Sequence, residues 1–273
     1  MSTLYWRPGL EMILRVQSFG AGLQSTCMLF MQLLGEIERC DCAIFADTQD
    51  ESAATYAHLD YCTRYAAERG FKIHRVTIGK LSEKMMGNWR KDANTSFVTI
   101  PTFGDRGGIN RRQCTREFKV APITKKVREL LGVAPRKRIK GIAAESWQGI
   151  SIDEAHRMKT NREPWIRNVY PLVDLRMTRH DCANWLKRHG FPIPSKSACI
   201  FCPYHDAATW RRMKLESPDE WQRVVELDRK LRVRGEYLHR SLKPLDEVDF
   251  STAEDHGQLN MQFGNECEGM CGV

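Results

Sequence analysis

No stretch of this 273-residue sequence approaches the roughly 18 consecutive apolar residues that a membrane-spanning helix needs, so that class is excluded. Internal repeats, low-complexity tracts and sustained heptads are missing as well, which removes solenoid, collagen-like and coiled-coil architectures. The N-terminal MSTLYWRPGLEMILR has no basic flank leading into an apolar stretch and a small-residue cleavage site. No export signal is therefore expected, and the cytoplasm is the default compartment. Positive charge is missing from one end: residues 246–273 hold seven Asp/Glu and no Lys or Arg. Residues 106–140 carry the opposite bias, twelve Lys/Arg against two Asp/Glu, in a chain of net charge +8. Such a block suits a polyanion, whether nucleotide phosphates, sulfate or a nucleic-acid backbone. It is equally what solvated helix faces look like when an acidic tail folds near them.

What is present is a globular composition, 42% hydrophobic and 28% charged, long enough for one large domain or one domain with an appendage. Residues 12–17 (MILRVQ), 42–46 (CAIFA), 72–78 (KIHRVTI) and 138–143 (RIKGIA) read as strands. Amphipathic stretches at 24–37, 52–69 and 120–131 separate or follow them. This alternation predicts an α/β fold, a doubly wound and mostly parallel sheet with helices on both faces, Rossmann-like, plus a smaller helical C-terminal part. Ligands of such sheets sit at the carboxyl ends of the strands, so the loops after residues 17, 46 and 143 are the places to look. The expected division is a nucleotide-binding domain at 1–176 with a lid or insert at about 80–116, a helical part at 177–245, and a mobile acidic tail at 246–273. Helices are expected at 178–189 and 218–233, the second opened by Ser217-Pro218-Asp219-Glu220, which offers an N-cap and a capping box.

The loop Ser18-Phe19-Gly20-Ala21-Gly22-Leu23-Gln24-Ser25-Thr26 follows the first strand and opens the first helix. Glycines let a backbone approach an anion, hydroxyls add donors, and a helix N-terminus presents unpaired N–H groups. The Gly-Lys-Ser/Thr ending of a Walker loop is absent, and taken alone the segment also reads as a packing turn. In context it resembles the pyrophosphate loop of the adenine nucleotide alpha hydrolase, or PP-loop ATP pyrophosphatase, superfamily, and in particular of phosphoadenosine phosphosulfate (PAPS) reductase-like proteins. It is longer than their Ser-Gly-Gly-x-Asp-Ser, with Phe19 at a glycine and Gln24 at the aspartate. Phe45-Ala46-Asp47-Thr48 with Glu51 resembles the second-strand segment of that family, and Gly141-Ile142-Ala143-Ala144-Glu145-Ser146 its fourth-strand motif. The family's arginine after that motif is replaced here, with Gln148 or Gly149 standing in its place and Arg157 or Arg162 as substitutes. Tyr170-Pro171-Leu172-Val173-Asp174, the helix after Thr178 and Cys199-Ile200-Phe201-Cys202-Pro203 follow in the family's order. The resemblance covers roughly residues 12–215. It implies that Ser18, Phe19, Gly20, Gly22, Gln24, Ser25, Thr26, Asp47, Thr48, Gly141, Glu145 and Ser146 bind an adenine nucleotide.

Cys199-x-x-Cys202 lets two thiolates face one centre, which fits an iron–sulfur cluster, zinc or a dithiol redox pair. Cys114 lies among Arg111, Arg112 and Arg116, cations that favour thiolate and, with Lys119 and Arg157, are candidate anion contacts. Gln113-Cys114 followed by Lys119-Val120-Ala121-Pro122 is similar to a segment of cluster-containing adenylylsulfate reductases with its first cysteine replaced. That resemblance implies three ligands, Cys114, Cys199 and Cys202, to a [4Fe-4S] cluster with one open iron, as in ATP-dependent sulfurtransferases. Zinc is the alternative, its fourth ligand coming from Cys182, Cys267, Cys271 or His205. The tail Glu266-Cys267-Glu268-Gly269-Met270-Cys271 resembles the mobile C-terminal motif of PAPS reductases, which makes Cys267 and Cys271 candidate catalytic thiols; an ordinary terminus is the other reading. Cys27, Cys40, Cys42 and Cys62 read as packing residues, and Trp210, Trp221, Val224, Val225 and Leu231 as core.

The expected activity is therefore ATP cleavage between the α- and β-phosphates with Mg²⁺, an adenylylation coupled to sulfur transfer onto an acceptor that can be a nucleic acid. A sulfur donor or thioredoxin-like protein is the expected partner, and no membrane is. The alternatives are a PAPS or adenylylsulfate reductase releasing sulfite, and a non-catalytic nucleotide or nucleic-acid binding module.

Overall fold

A computed structural model describes residues 13–87 and 100–251. In chain order the first elements are β1 (Leu14–Ser18), α1 (Leu23–Leu34), β2 (Cys42–Asp47), α2 (Ala53–Ala67), β3 (Lys72–Thr77), α3 (Leu81–Gly87) and β4 (Phe103–Gly104). A π-helical turn (Thr115–Val120) leads into α4 (Ala121–Leu130), followed by β5 (Ala144–Gln148), a 3₁₀ turn (Ile152–Arg157) and β6 (Ile166–Val169). Then come α5 (Pro171–Asp174), α6 (Arg179–Arg188), α7 (Ala207–Glu216), α8 (Pro218–Arg232) and β7 (Glu236–Tyr237). The described residues fall into two compact units, one from within 13–46, 53–76 and 121–197, the other from within 47–52, 77–120 and 198–251.

The first unit is an α/β sheet in the order β3-β2-β1-β5-β6, and the β1–β2, β1–β5 and β5–β6 pairs are parallel. β2 is buried at all six positions, as a central parallel strand should be. Its side chains alternate across the sheet. Ala43 and Phe45 join Phe30, Leu59, Trp185 and Leu186 on the face covered by α1, α2 and α6, while Cys42 and Ile44 join Val127 and Trp165 on the face covered by α4. α1 ends where Gly35 turns left-handed at φ +78° and Glu36 N–H reaches back to Met31 O, which satisfies a terminal carbonyl. α6 opens with Thr178 and Asp181 exchanging side-chain-to-backbone hydrogen bonds in a capping box.

Three expectations shift. The strand expected at 138–143 lies instead at β5, because Gly141 sits at φ +67° and the preceding Arg136–Lys140 segment is largely exposed turn. β5 looks polar in sequence because Glu145, Ser146 and Gln148 lie on it, yet Glu145 is in register with Arg15 of β1 and Arg167 of β6. Both arginines form ion pairs with its carboxylate, so a buried charge is tolerated mid-sheet. The capping box expected at Ser217 does not form: this residue also closes α7, its N–H donating to Met213 O, and its side chain caps nothing.

The second unit pairs β4 with β7 in an antiparallel ribbon and packs α7 and α8 around Trp210, Trp221, Val224, Phe201 and Phe250. Asp228, fully buried, accepts hydrogen bonds from the N–H groups of Leu238 and Leu245 and from Arg232 Nε, fixing the chain after α8. No helix among the described residues is long and apolar enough to cross a membrane.

Candidate functional site

In the first unit the strand order reverses between β1 and β5, and this switch point is where open α/β sheets bind ligands. The chain leaves β1 at Ser18 and turns through exposed Gly20 and left-handed Ala21, at φ +55°. It enters α1 with Gly22 extended at the N-cap. Ser25 Oγ accepts the Gly22 N–H at 3.2 Å and donates to Gly22 O at 3.1 Å, so the serine both caps the helix and holds a hydroxyl beside the loop. The first-turn N–H groups of α1 point out of the helix without intrahelical acceptors, as at any helix start.

The loop after β5 closes on this helix start. A Cβ on Gly149 would lie 2.8 Å from Ser25 N and 2.9 Å from Ser25 Cα, so only glycine permits the approach. Gln24 Nε2 donates to buried Ser151 Oγ at 3.4 Å, and Arg179 Nη1 donates to Gln24 Oε1 at 3.1 Å. Arg179, first residue of α6, is itself anchored by its N–H on Asp153. Ser197 Oγ donates to Gly20 O at 2.5 Å, and its Cβ lies 3.7 Å from where a Cβ on Gly22 would be. The switch point thus gathers a helix start, three hydroxyls and a guanidinium. Because residue 24 is a neutral amide rather than the resembling family's aspartate, it orients Arg179 without cancelling its charge.

A buried amide chain keeps this loop rigid. Gln17 Nε2 donates to Ser25 O at 2.7 Å, Gln32 Nε2 to Gln17 Oε1 at 2.8 Å, and Cys40 N–H to Gln32 Oε1 at 2.9 Å. Two loop residues face inward instead of toward a ligand. The Phe19 ring joins the core and its N–H is taken by Ile44 O, while Thr26 is fully buried and bonded through Oγ1 to His58 at 3.0 Å. Burial pushes His58 down to about 4, so it is a neutral partner.

The fourth-strand motif is displaced from this site. Leu14 pairs with Ala144 and Arg15 with Glu145, which puts Gly141 and Glu145 at the amino end of the sheet, away from the switch loops. Burial alone would raise the Glu145 carboxyl, but Arg167, Trp147 and Arg15 together hold it below its ordinary value. Ser146 Oγ accepts from Gln148 Nε2 at 2.7 Å, and Arg157 is committed to buried Glu154 at 2.6 Å.

The second unit holds a thiol cluster. Cys199 Sγ lies 3.3 Å from Thr48 Oγ1 and donates to Glu51 Oε1 at 3.7 Å; Thr48 donates to the same oxygen at 3.2 Å, and Lys119 Nζ lies 3.4 Å from it. Burial raises the Cys199 thiol well above its ordinary value and Glu51 adds to this, while Lys119 and Thr48 oppose it. Thr48 is thereby part of the thiol cluster, and Asp47 Oδ1 accepts the N–H of left-handed Gln49 at 2.8 Å. The Cys202 N–H and a His205 ring nitrogen both meet Cys199 O. Arg111 and Arg116 are exposed, and Arg112 sits 5.9 Å over the Tyr204 ring. Cys114, Cys199 and Cys202 are in no disulfide, and among the described residues no three His, Cys, Asp or Glu side chains form a group that could hold a metal ion. The Cys199 thiol faces the Glu51 carboxylate, and Cys114 stands near enough to raise it further. Cys267 and Cys271 lie outside the described residues.

Of the residues at the switch point, Arg179, Ser151 and Ser197 were not singled out from sequence. Arg179 carried one faint signal, its place at the start of a capped helix.

No family model matches the sequence, and no curated protein matches it. Among solved structures the chain is similar to a phosphoadenylyl-sulfate (PAPS) reductase from Candida auris in a phosphate complex, at 16% identity and a TM-score of 0.42, over 66% of this chain and 75% of that one. It is also similar to the U34-tRNA thiolase NcsA from Methanococcus maripaludis with its [4Fe-4S] cluster, at 10% identity and a TM-score of 0.42, over 87% of this chain and 73% of that one. At this level of likeness neither match assigns a role to any residue here.

Proposed function

We propose that this chain is a PAPS reductase-like enzyme of the PP-loop superfamily that binds ATP at the β1–α1 loop and cleaves it between the α- and β-phosphates. The observation that supports it best is the convergence of the Gly20–Ser25 loop, the close approach of Gly149 and the guanidinium of Arg179 at the point where strand order reverses. N–H groups at the start of α1, Ser25 Oγ and Arg179 would face the β- and γ-phosphates and stabilise pyrophosphate as it departs. Mg²⁺ arriving with the nucleotide would offset charge on the phosphate oxygens. An acceptor oxygen attacks the α-phosphorus, the bond to the β-phosphate oxygen breaks, and pyrophosphate leaves. The adenylylated carbon is then open to a sulfur nucleophile, with AMP carrying the oxygen away. The sulfur limb would use Cys114, Cys199 and Cys202, with Cys267 and Cys271 in the tail. A persulfide loaded onto one of these thiols by a persulfide donor attacks the adenylylated carbon. A second thiol then closes a disulfide with the carrier and frees the sulfur on the acceptor, and a thioredoxin-like dithiol reduces that disulfide. A nucleic acid is the acceptor class that the basic block suits.

The test uses water as a slow acceptor. Purified protein with Mg²⁺ and ATP is expected to release AMP and pyrophosphate in equal amounts, and none from α,β-methylene-ATP. ADP with inorganic phosphate would contradict the proposed cleavage site, and sulfite released from PAPS with thioredoxin would favour the reductase instead.

A further inference from the structure

The basic block is not spread evenly over the fold. In the first unit it concentrates on one surface, the outer side of α4 and the turn that follows it. Arg136, Lys137, Arg138 and Lys140 are all exposed there, as is Lys125 on α4, and residues 130–144 contain no Asp or Glu. The only apolar side chain among Arg136–Lys140, Ile139, is turned inward against the core cluster that contains Val16, Val127 and Trp165.

This turn is held, unlike an ordinary solvated charge run. Arg128 Nη2 donates to Ala134 O at 3.0 Å and Lys137 O at 2.6 Å, and its guanidinium lies 5.7 Å over the Trp165 ring. Val133 N–H returns to Arg128 O, and Lys137 N–H closes a turn on Ala134 O. One arginine is thus spent on fixing the backbone from which four cations project. Fixing them in advance lowers the ordering cost when a partner binds.

We propose that α4 and the 133–140 turn form a docking surface for the phosphodiester backbone of a nucleic acid. The cations are all exposed and lie on one helix and the turn that follows it, which suits a string of phosphates rather than one small anion. Their binding strength would come from counterion release summed over several contacts. A lipid headgroup surface fits less well, since membrane-surface elements pair cations with a face of apolar side chains that insert, whereas here Ile139 is turned into the core and Ile142 alone among residues 136–142 is a large apolar side chain left exposed. The surface is separate from the β1 loop, and its binding does not depend on nucleotide cleavage.

The experiment is fluorescence anisotropy of a fluorescein-labelled 20-nucleotide single-stranded RNA, titrated with the full chain between 50 and 300 mM KCl. The wild type is expected to bind with a steep salt dependence. Replacing Arg136→Ala, Lys137→Ala, Arg138→Ala and Lys140→Ala together is expected to weaken binding at least tenfold at 100 mM KCl. It should also flatten the slope of log K against log salt by about 3, at roughly 0.7 per single-strand phosphate contact. A control lacking the exposed cations Arg162, Lys187 and Arg188 should bind within about twofold of the wild type. Arg128 is left in place so that the turn stays folded, and an unchanged melting temperature checks this. If the quadruple variant melts earlier, Lys137→Ala and Lys140→Ala singly, each removing about 0.7 from the slope, decide the matter. The proposal is overturned by absent binding in the wild type, by equal losses in variant and control, or by phosphatidylserine vesicles displacing the RNA from this surface.

Discussion

Replacing Gly149 by alanine adds one methyl group at the tightest point of the switch loop. That methyl would lie 2.8 Å from Ser25 N, 2.9 Å from Ser25 Cα and 3.2 Å from Gln24 C, all backbone atoms of the α1 start. Favourable carbon contacts begin near 3.5 Å, so either the helix start or the loop after β5 must move by something like half an ångström or more. Overpacking of this kind costs about 1–3 kcal/mol. At about 2–4 °C per kcal/mol for chains of comparable size, the melting temperature should fall by roughly 2–12 °C. Nucleotide affinity should fall with it, because the atoms displaced are the ones placed to meet the phosphates. Gly20→Ala is the matched control: no heavy atom comes within 4 Å of its new methyl, and a change below about 0.5 kcal/mol is expected. Urea unfolding and calorimetric nucleotide titration of the three proteins measure both effects. If Gly149→Ala matches Gly20→Ala in stability and the wild type in affinity, the close approach of the β5 loop to α1 is refuted.

Three further outcomes follow from buried polar groups and charge. Gln17→Leu strips the donor from Ser25 O and the acceptor from Gln32 Nε2 in a buried site, so urea unfolding should show a loss of about 1–3 kcal/mol; an unchanged midpoint would mean the amide chain carries no load. His58, lowered to about 4 from an ordinary 6.5, favours the folded state in its neutral form. Its contribution is complete above pH 6.5 and is lost as the pH falls toward 4, a change of about 3 kcal/mol that His58→Gln should remove from the pH–stability curve. Arg167→Ala leaves Glu145 with Arg15 as its remaining charged partner and should destabilise the sheet by about 1–3 kcal/mol, whereas Arg162→Ala, exposed on the same unit, should be silent.

The parallel sheet was legible wherever the strands are apolar throughout. CAIFAD announces β2 because all its side chains enter the core. β5 was not legible, since Glu145 breaks its apolar pattern and was read as a nucleotide contact, whereas the sheet places Arg15 and Arg167 on either side of it, neither of them near it in the chain. The same contrast divides the site. Ser18–Thr26 advertises an anion loop through its glycines and hydroxyls, a local signal. The cation that completes it, Arg179, is 155 residues from Gln24, and nothing near it in sequence marks it as an anion contact. Phe19 and Thr26 sat in the legible motif, yet the fold uses them for packing and for the bond to His58. Cys-x-x-Cys spacing shows which thiols are close along the chain, but not where they point. Glu51, brought beside Cys199 by strand-like pairing across a long sequence gap, decides that.

Arg179 offers the sharpest test of nucleotide binding at the switch point. Isothermal titration of Mg·ATP into wild type, Arg179→Ala and Arg179→Lys reads its contribution directly. One nucleotide per chain should bind the wild type, and Arg179→Ala should bind it about 10–100-fold more weakly, the equivalent of one charged hydrogen bond of about 1.5–3 kcal/mol. Arg179→Lys should fall between the two. A wild type that takes up no nucleotide, or an Arg179→Ala protein with unchanged affinity, would place the phosphates elsewhere and contradict the assignment of this loop.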